Sequence, residues 1–329
     1  MKKSRLVAIG LALALWSGIG FASSANTGYG PVYPSRPIRI LVGLSAGSTS
    51  DILARSLGQK MKEAWGEPVI VDNRPGAGGN IAADAVAKAS GDGYTLLITT
   101  QGFAISPGLY KNLPFDATRD FAPVTQLTSS YLVLVCAPQL PSQSIRDLIA
   151  LAKSKPGTIN YGSTGTGAPP HLLGEVLKSA AGIDMLHVPY KGDAPLTQAL
   201  LAGEVQVAFM PLAGVLPHIR SGRLRALGVS GRQRSTEMPG VPTFTEAGLP
   251  FEFTGWLGIF APAGVPRELV TQLQREIAKA IVAKGLVERW PAWGYEPVGD
   301  SPEEFAARLA ADMAMYAKVI RDAKIPLQD

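Results

Sequence analysis

The stretch IRILVGLSAGSTSD, residues 38–51, combines the features that decide the fold of this chain. It begins as a short apolar run, which is typical of a strand buried in a sheet. Its end, Ser48 to Asp51, matches a capping box, with Asp51 at the third position of a helix that reaches about Trp65. A buried strand, a glycine-containing turn and a helix together form the repeating unit of an α/β protein.

The same unit recurs along the chain. Further strands are predicted at residues 69–71, 94–99, 131–136, 158–161, 185–188, 205–209, 224–229 and 257–260. Such alternation predicts mostly parallel sheets flanked by helices, and about ten strands exceed what one small sheet usually holds. We therefore expect two lobes, residues 26–127 with 256–329 and residues 128–255, separated by a cleft.

Residues 1–25 have the three parts of a secretory signal peptide. Three basic residues precede an uncharged apolar stretch, and Ser23 and Ala25 suit a cleavage site near Ala25. An uncleaved anchor is the alternative, but the apolar stretch is shorter than the ~20 residues that span a bilayer. Cleavage lowers the formal charge of the 329-residue chain from +5 to +2, because it removes three cations and no anion. We therefore expect an exported protein that neither binds nucleic acid nor stays in the membrane.

The motif inventory argues against cofactors and metals. The chain contains one cysteine, Cys136, so it has no intramolecular disulfide, and the apolar strand around Cys136 indicates a core position. Neither a Walker A motif nor GxGxxG, HExxH or paired CxxC motifs occur. The sequence therefore predicts no cofactor and no metal site.

Three loops share one design, since each follows a strand, contains glycine and hydroxyl residues and begins a helix. They are residues 44–50, 76–80 and 162–168. A helix N-terminus presents unpaired N–H groups and about half a positive charge, which makes it a site for anions. Lys and Arg are nearly absent from these loops, so we expect a small anion such as a carboxylate, held by neutral donors. Ordinary turn chemistry explains any single loop equally well, whereas three together favour one shared cleft.

The candidate ligand-binding residues come from these loops and their neighbours. They are Leu44, Ser45, Ala46, Gly47, Thr49, Ser50, Asp51, Gly78, Gly79, Asn80, Gln101, Ser163, Thr164, Gly165, Thr166, His171, Tyr190, Lys191 and Met210. Asp51 either caps its helix or meets a ligand ammonium group. His171 either donates to a ligand oxygen or makes a structural hydrogen bond, and Lys191 is either a cation of the cleft or a solvated side chain.

An enzyme of another class is the main alternative. Gly43 to Gly47 matches the GxSxG nucleophile elbow of serine hydrolases, with Ser45 as the nucleophile. This motif follows the first strand of the exported chain, which leaves no room for the earlier strands of the hydrolase fold. The three histidines, His171, His187 and His218, come with no triad signature. We therefore expect a binding protein and not an enzyme.

Motifs spread in order over nearly the whole exported chain resemble those of the Bug family, the extracytoplasmic solute receptors associated with tripartite tricarboxylate transporters. They are YPSRPI (33–38), STSDILAR (48–55), VDNRPGAGGN (71–80), YGS (161–163), HVPYKG (187–192), VLPHIRSG (215–222), PGVPT (239–243) and APAG (261–264). The resemblance implies a two-lobed periplasmic binding protein of the type II-like fold, which closes on its ligand and acts with a membrane permease. A monomer is expected, and a sensor domain for a signalling partner is the alternative.

The resemblance also implies a ligand class. Family ligands are typically small carboxylates, including di- and tricarboxylates, acidic amino acids and aromatic acids, held by backbone amides, hydroxyls and ordered water. Two positions depart from the family pattern. Ser45 to Ser48 replace the usual consecutive proline and two glycines, and Met210 stands where the family often has Asp. The missing Asp argues against an amino acid, and Met210 suggests an apolar contact to the ligand body.

Overall fold

The computed structural model describes residues 33–190, 192–249, 251–286, 288–292 and 294–329. The predicted signal peptide, residues 1–25, and the candidate residue Lys191 lie outside the described residues.

Strands and helices alternate through most of the chain, as predicted. The strands are β1 Ile38–Val42, β2 Val69–Asn73, β3 Thr95–Thr100, β4 Phe121–Ser130, β5 Leu132–Cys136, β6 Asn160–Ser163, β7 Leu186–Pro189, β8 Val207–Pro211, β9 Arg225–Val229, β10 Gly255–Pro262 and β11 Tyr295–Pro297. The helices are α1 Thr49–Trp65, α2 Asn80–Ala87, α3 Gly102–Leu109, α4 Ile145–Ser154, α5 Pro169–Ala181, α6 Asp193–Ala202, α7 Leu212–Arg220, α8 Arg267–Ile281, α9 Arg289–Ala292 and α10 Pro302–Asp322.

Local sequence chemistry explains where the principal helices begin. Ser48 caps α1 and Ser144 caps α4, each by accepting a hydrogen bond from the backbone N–H of an aspartate three residues on. Ser301 and Glu304 form a complete capping box at the start of α10, and a proline occupies the first turn. These caps satisfy N–H groups that would otherwise lack partners, and the helix start predicted from Ser48 to Asp51 is confirmed.

The strands form two sheets, one for each lobe. The first has the order β11-β4-β10-β3-β1-β2, and the second has the order β7-β6-β8-β5-β9. The chain leaves the first sheet at the end of β4, at Ser130, and returns at the start of β10, at Gly255. The assignment of residues 26–127 with 256–329 to lobe 1 and residues 128–255 to lobe 2 places its boundaries within three residues of these points and stays a proposal.

The expectation of mostly parallel sheets is wrong in detail. β1 pairs in parallel with β2 and β3, whereas β10 is antiparallel to β3 and β4, and β11 is antiparallel to β4. In the second sheet β6 is parallel to β7 and β8, but β5 is antiparallel to β8 and β9. The cause is the passage between lobes. A strand that leads the chain out of a sheet and the adjacent strand that brings it back must run in opposite directions.

The core lies on both faces of each sheet. Every residue of β10 is buried, because helices cover both sides of the strand. Cys136 is fully buried in this core, which agrees with the prediction from its apolar strand. The helices therefore lie on the outer faces of the sheets.

Candidate functional site

A cavity of about 210 Å³ lies between the two lobes. Its lining comprises Ser50, Thr100, Gln101, Ser130, Tyr131, Leu132, Thr164, Pro169, Pro170, Asp193, Pro211, Leu212, Trp256, Leu257, Gly294 and Tyr295. The space is smaller than the roughly 300–1,000 Å³ of pockets for drug-sized molecules. It is therefore suited to a small organic molecule that contacts both lobes.

Four helices begin at the wall of this cavity. Ser50 lies in the first turn of α1, Pro169 and Pro170 in that of α5, and Asp193 and Leu212 are the first residues of α6 and α7. The first turn of each of these helices, where its partial positive charge is concentrated, therefore borders the cavity. Such convergence from both lobes favours an anionic ligand without requiring a basic side chain.

Two of the predicted loops meet in lobe 1. Gly43, at the end of β1, approaches Gly79 so closely that a Cβ at Gly43 would lie 2.7 Å from the Gly79 Cα. Leu44, Ser50, Gly78 and Gly79 line a second void of about 10 Å³ beside the end of β3. That volume is close to the space of one water molecule, so the two loops enclose a small recess next to the cavity.

Most of the β1–α1 loop stays at the surface. Ser45, Ala46, Gly47 and Thr49 are exposed and do not line the cavity. Asp51 is buried, where its Oδ2 accepts from the Gly47 N–H at 2.9 Å. Its Oδ1 is paired with Arg55 Nη2, also at 2.9 Å. Of its two interpretations, the geometry therefore matches the structural one.

The electrostatics of Asp51 agree with this role. Burial raises the pKa of the Asp51 carboxyl, but the hydrogen bonds from Arg55 and Gly47 outweigh burial and hold the pKa below its usual range. The carboxylate therefore stays ionised and supports the loop that precedes α1.

Asn80 and Gln101 connect neighbouring elements of lobe 1. Asn80 is buried, and its Oδ1 accepts from the Ser106 hydroxyl at 3.0 Å. Gln101 lines the cavity and exchanges hydrogen bonds with the backbone of Trp256, to which its Oε1 is joined at 3.2 Å. Gln101 is therefore the more directly placed of the two for ligand contact.

The β6–α5 loop supplies part of the wall of the cavity in lobe 2. Thr164 lines the cavity, whereas Ser163 is fully buried and Gly165 is partly exposed. Thr166 is exposed, and its carbonyl accepts from Gln328 Nε2 at 3.1 Å. Only Thr164 of this predicted set reaches the cavity.

His171 makes a structural hydrogen bond, which is one of the two roles that the sequence allowed. It is buried, and its Nδ1 accepts from the backbone N–H of Gly167 at 3.0 Å. Its ring stacks on that of His187, with centroids 3.8 Å apart and planes 16° apart. Burial lowers the pKa of His171 and lowers that of His187 to about 4. Both rings are therefore neutral at neutral pH.

Tyr190 and Met210 do not line the cavity. The Tyr190 N–H donates to the Ser163 carbonyl at 2.8 Å, and its half-buried ring belongs to the second-lobe core. Met210 is fully buried in the same core. The expected contact between Met210 and the ligand body is thus replaced by packing, because the strand turns this side chain away from the cleft. The neighbouring Pro211 reaches the cavity instead.

Several lining residues are not among the binding residues predicted from the sequence. Trp256 comes from β10 and its indole Nε1 donates to Asp312 at 2.7 Å, while Tyr295 comes from β11. Asp193 and Leu212 begin helices that the sequence analysis did not predict. A signal existed for α6, since Gly192 and Asp193 resemble a helix start, but nothing local showed that this start faces a cleft.

Asp193 is the one charged side chain among the lining residues that the structure describes. Burial raises the pKa of its carboxyl, although the side chain keeps contact with solvent in the cleft. Tyr295 also has a raised pKa, first through burial and further through the charge of Asp193. The phenol is therefore a neutral hydrogen-bond donor, and the rest of the wall consists of hydroxyl, amide and apolar groups.

The arrangement expected of a serine hydrolase is not seen at Ser45. No hydrogen bond in the described part of the chain joins the Ser45 hydroxyl to a histidine. The serine that does contact a histidine is Ser163, whose Oγ lies 2.7 Å from His187 Nε2. Ser163 is fully buried, so no substrate reaches it in this conformation.

In the described part of the chain, no helix is long and apolar enough to cross a bilayer. The described residues also include no group of three or more His, Cys, Asp or Glu side chains placed to hold a metal ion.

Two lobes around one cavity lined by hydroxyl, amide and apolar groups are typical of two-lobed solute-binding proteins. Residues 53–325 match the family described as the tripartite tricarboxylate transporter family receptor, TctC. BugT of Bordetella pertussis is 37% identical over 326 residues, which cover 98% of each chain. The chain belongs to this receptor family.

Solved structures agree in fold. A periplasmic binding protein, BugD, is 31% identical with a TM-score of 0.75, over 90% of this chain and 100% of that one. A Rhodopseudomonas palustris protein solved with adipate has a TM-score of 0.77 at 34% identity, over 90% and 100% of the chains. MatC from the same organism, with bound malate, has a TM-score of 0.73 at 28% identity, over 88% and 100%. The fold is therefore the two-lobed periplasmic binding protein fold.

Proposed function

We propose that this chain is a periplasmic receptor that captures a small carboxylate between its lobes and delivers it to the permease of a tripartite tricarboxylate transporter. The observation that carries the proposal is the convergence of four helix N-termini on one cavity. It is supported by family membership and by relatives solved with adipate and malate. Di- and tricarboxylates and related organic acids are the proposed ligands.

Recognition relies on neutral donors. Ser50, Thr100 and Thr164, which carry hydroxyl groups, and Gln101, which carries an amide, line the cavity from both lobes. In a cleft partly shielded from water, hydrogen bonds to a carboxylate are stronger than bonds between neutral groups. Bonds from both lobes to one ligand favour the closed state, because closure completes them.

The first test is ligand binding by protein that has been unfolded and refolded to remove co-purified ligand. Thermal shift and calorimetry are carried out with adipate, malate, citrate and a series of monocarboxylates. Binding stabilises the folded state by RT ln(1 + [L]/Kd), so a ligand present at 100 times its Kd adds about 2.7 kcal/mol. If no carboxylate shifts the transition, the receptor proposal is refuted.

A matched pair of variants tests the site. Thr164→Val removes the hydroxyl of a residue that lines the cavity, whereas Thr166→Val removes one from the exposed end of the same loop. We expect Thr164→Val to weaken binding about 10-fold, since a hydrogen bond to a charged group contributes roughly 1.5–3 kcal/mol. Thr166→Val should bind like wild type. Equal effects of the two substitutions would place the ligand elsewhere.

Export and delivery need tests in cells. We propose that the signal peptide is removed near Ala25 and that the mature protein is a monomer. N-terminal sequencing of periplasmic protein and light scattering check these two points. Uptake of the bound acid should stop when the chain is deleted and return with the wild-type chain. Uptake that is unchanged by the deletion would favour a sensor role. Hydrolysis of activated esters that is lost in Ser45→Ala would instead establish an enzyme.

A further inference from the structure

The last residue of β6, Ser163, and the β6–α5 loop that follows it, residues 164–168, contact two stacked histidine rings. The loop brings Thr164 to the cavity wall, while Ser163 and Gly167 face inward and are buried. His187 Nε2 lies 2.7 Å from the Ser163 hydroxyl, and His171 Nδ1 lies 3.0 Å from the Gly167 nitrogen. Each end of the loop is therefore bonded to one imidazole.

The bond at Gly167 determines the protonation state of His171. A backbone N–H can only donate, so the Nδ1 that receives it carries no proton. His171 is consequently neutral, with its proton on Nε2. Protonation at Nδ1 would place two donors against each other and break the contact. The Ser163 bond to His187 sets no such requirement, because a hydroxyl both donates and accepts.

The surroundings keep the pair uncharged. The ring of Tyr161 lies 5.0 Å from His187 and 6.4 Å from His171, so the two imidazoles form one stack with the phenol. Glu175 is the carboxylate that acts on both histidines, but it already accepts from the Tyr161 hydroxyl and from Lys178 Nζ. The positive charge of Lys178 disfavours protonation of both histidines.

The charged groups that act on His171 lie on its own helix. They are Glu175 and Lys178, both on α5; β6 contributes Tyr161 and β7 contributes His187. No charged group from α10, which also packs against α5, acts on the ring in the described part of the chain. Burial lowers the pKa of His171, the charge of Glu175 partly offsets that effect, and the charge of Lys178 adds to it.

We propose that His171 is a positioning residue of the ligand cleft, whose unprotonated Nδ1 holds the β6–α5 loop in the conformation that presents Thr164 to the ligand. His187 supports the same loop through Ser163. Acidification converts the acceptor on His171 into a donor, which frees the loop and lowers affinity for the ligand. This inference rests on the proposed receptor function, and it adds a pH-dependent control of the same cleft.

Two substitutions at one position separate the acceptor from the ring. His171→Asn places an amide oxygen where Nδ1 accepts the Gly167 N–H, and it does not titrate. His171→Phe keeps a ring stacked on His187 but removes the acceptor. The control is His218→Asn, which changes the histidine of α7, outside this stack. Urea unfolding of every variant confirms that the fold persists.

Affinity for adipate is measured by calorimetry from pH 7.5 to 4.0. At pH 7.5 we expect His171→Asn to bind within about 3-fold of wild type and His171→Phe to bind at least about 10-fold more weakly, because the buried N–H of Gly167 is left unpaired. On acidification the wild type should lose affinity relative to His171→Asn by at least about 3-fold. Both proteins bind the same ligand at each pH, so the ratio of their affinities removes the effect of the titration of adipate itself. Wild-type affinity in His171→Phe, or parallel pH profiles of wild type and His171→Asn, would overturn the proposal.

A readout without ligand distinguishes this inference from the proposed function. Long-range proton–nitrogen spectra of the imidazoles should show His171 with its proton on Nε2 at pH 7.5. Amide exchange at Gly165 and Gly167, corrected for intrinsic rates, should accelerate on acidification in wild type but not in His171→Asn. If adipate and every other acid fail to bind while these spectra behave as expected, the receptor proposal is wrong, but the proposed role of His171 in holding the loop is retained. A proton on Nδ1 of His171 at pH 7.5 refutes the proposed role of His171, whatever the protein binds.

Discussion

The charge of Asp193 should control how well the cleft accepts a second carboxylate. Asp193 begins α6 and is the one charged lining residue that the structure describes. A dicarboxylate held by the helix N-termini places its second charge within the same small cavity, where it meets this carboxylate. Asp193→Asn removes the charge and preserves the size of the side chain. We therefore expect it to favour dicarboxylates over monocarboxylates of equal length.

The size of the cavity sets the magnitude of the repulsion between Asp193 and the second carboxylate of the ligand. A sphere of 210 Å³ is about 7 Å across, and at that separation two unit charges repel by about 0.6 kcal/mol in water and about 2.4 kcal/mol at an effective dielectric constant of about 20. These energies correspond to affinity ratios of about 3-fold and about 60-fold. Solvent reaches Asp193 through the cleft, so the lower part of this range is expected.

The assay compares adipate with hexanoate, which has the same chain length and lacks the second charge. Calorimetry at pH 8 gives the ratio of the two dissociation constants for wild type and Asp193→Asn. The control is Glu268→Gln, which removes an exposed acid from the first turn of α8, on the other lobe. Protonation of Asp193 acts like the substitution, so the wild-type ratio should approach that of the variant as the pH falls. An unchanged ratio in Asp193→Asn would show that the ligand does not place charge near α6.

Three further predictions concern stability and are read from urea unfolding. Trp256→Phe removes the indole bond to a buried carboxylate of α10 and should cost about 1–3 kcal/mol. Gly258→Ala would place a Cβ 2.2 Å from Phe305 Cζ and should cost about 1–3 kcal/mol through overpacking, whereas Gly214→Ala, whose Cβ meets nothing within 4 Å, should be neutral or slightly stabilising. His187 has its pKa lowered from 6.5 to about 4 by burial, so below pH 6.5 the unfolded chain binds a proton that the folded protein does not. Stability should therefore be complete above pH 6.5 and fall by about 2 kcal/mol toward pH 4, after allowance for solvent at the half-buried ring, and His187→Gln should remove this part of the pH dependence.

Elements with local signals were predicted well. The helices after Ser48, Ser144 and Ser301 begin where their caps indicate, because a cap depends on groups within one turn of the chain. The helix α3 was missed, since its residues are almost uniformly apolar and include Pro107. The direction of β10 was also missed, because pairing direction depends on strands more than a hundred residues apart in sequence.

The candidate site was predicted in part. Ser50, Gln101 and Thr164 lie at the cavity, whereas the exposed turn around Ser45 does not. Met210 shows why a strand gives ambiguous signals, since Phe209 and Met210 point to opposite faces of β8 and both are buried. No alternation of polar and apolar residues distinguishes the face near the cleft from the face in the core.

By itself the sequence determined that this chain alternates strands and helices, that its glycine-containing loops precede helix N-termini, and that it resembles one family of solute receptors. These properties depend on neighbours in the chain or on motifs of fixed length. Only the tertiary structure decided which helix starts share a cavity, that an aspartate lies on its wall, and that His187 of β7 bonds to Ser163 at the end of β6. Such contacts join residues from both lobes and several elements, and their geometry exists only after the sheets have packed and brought them together.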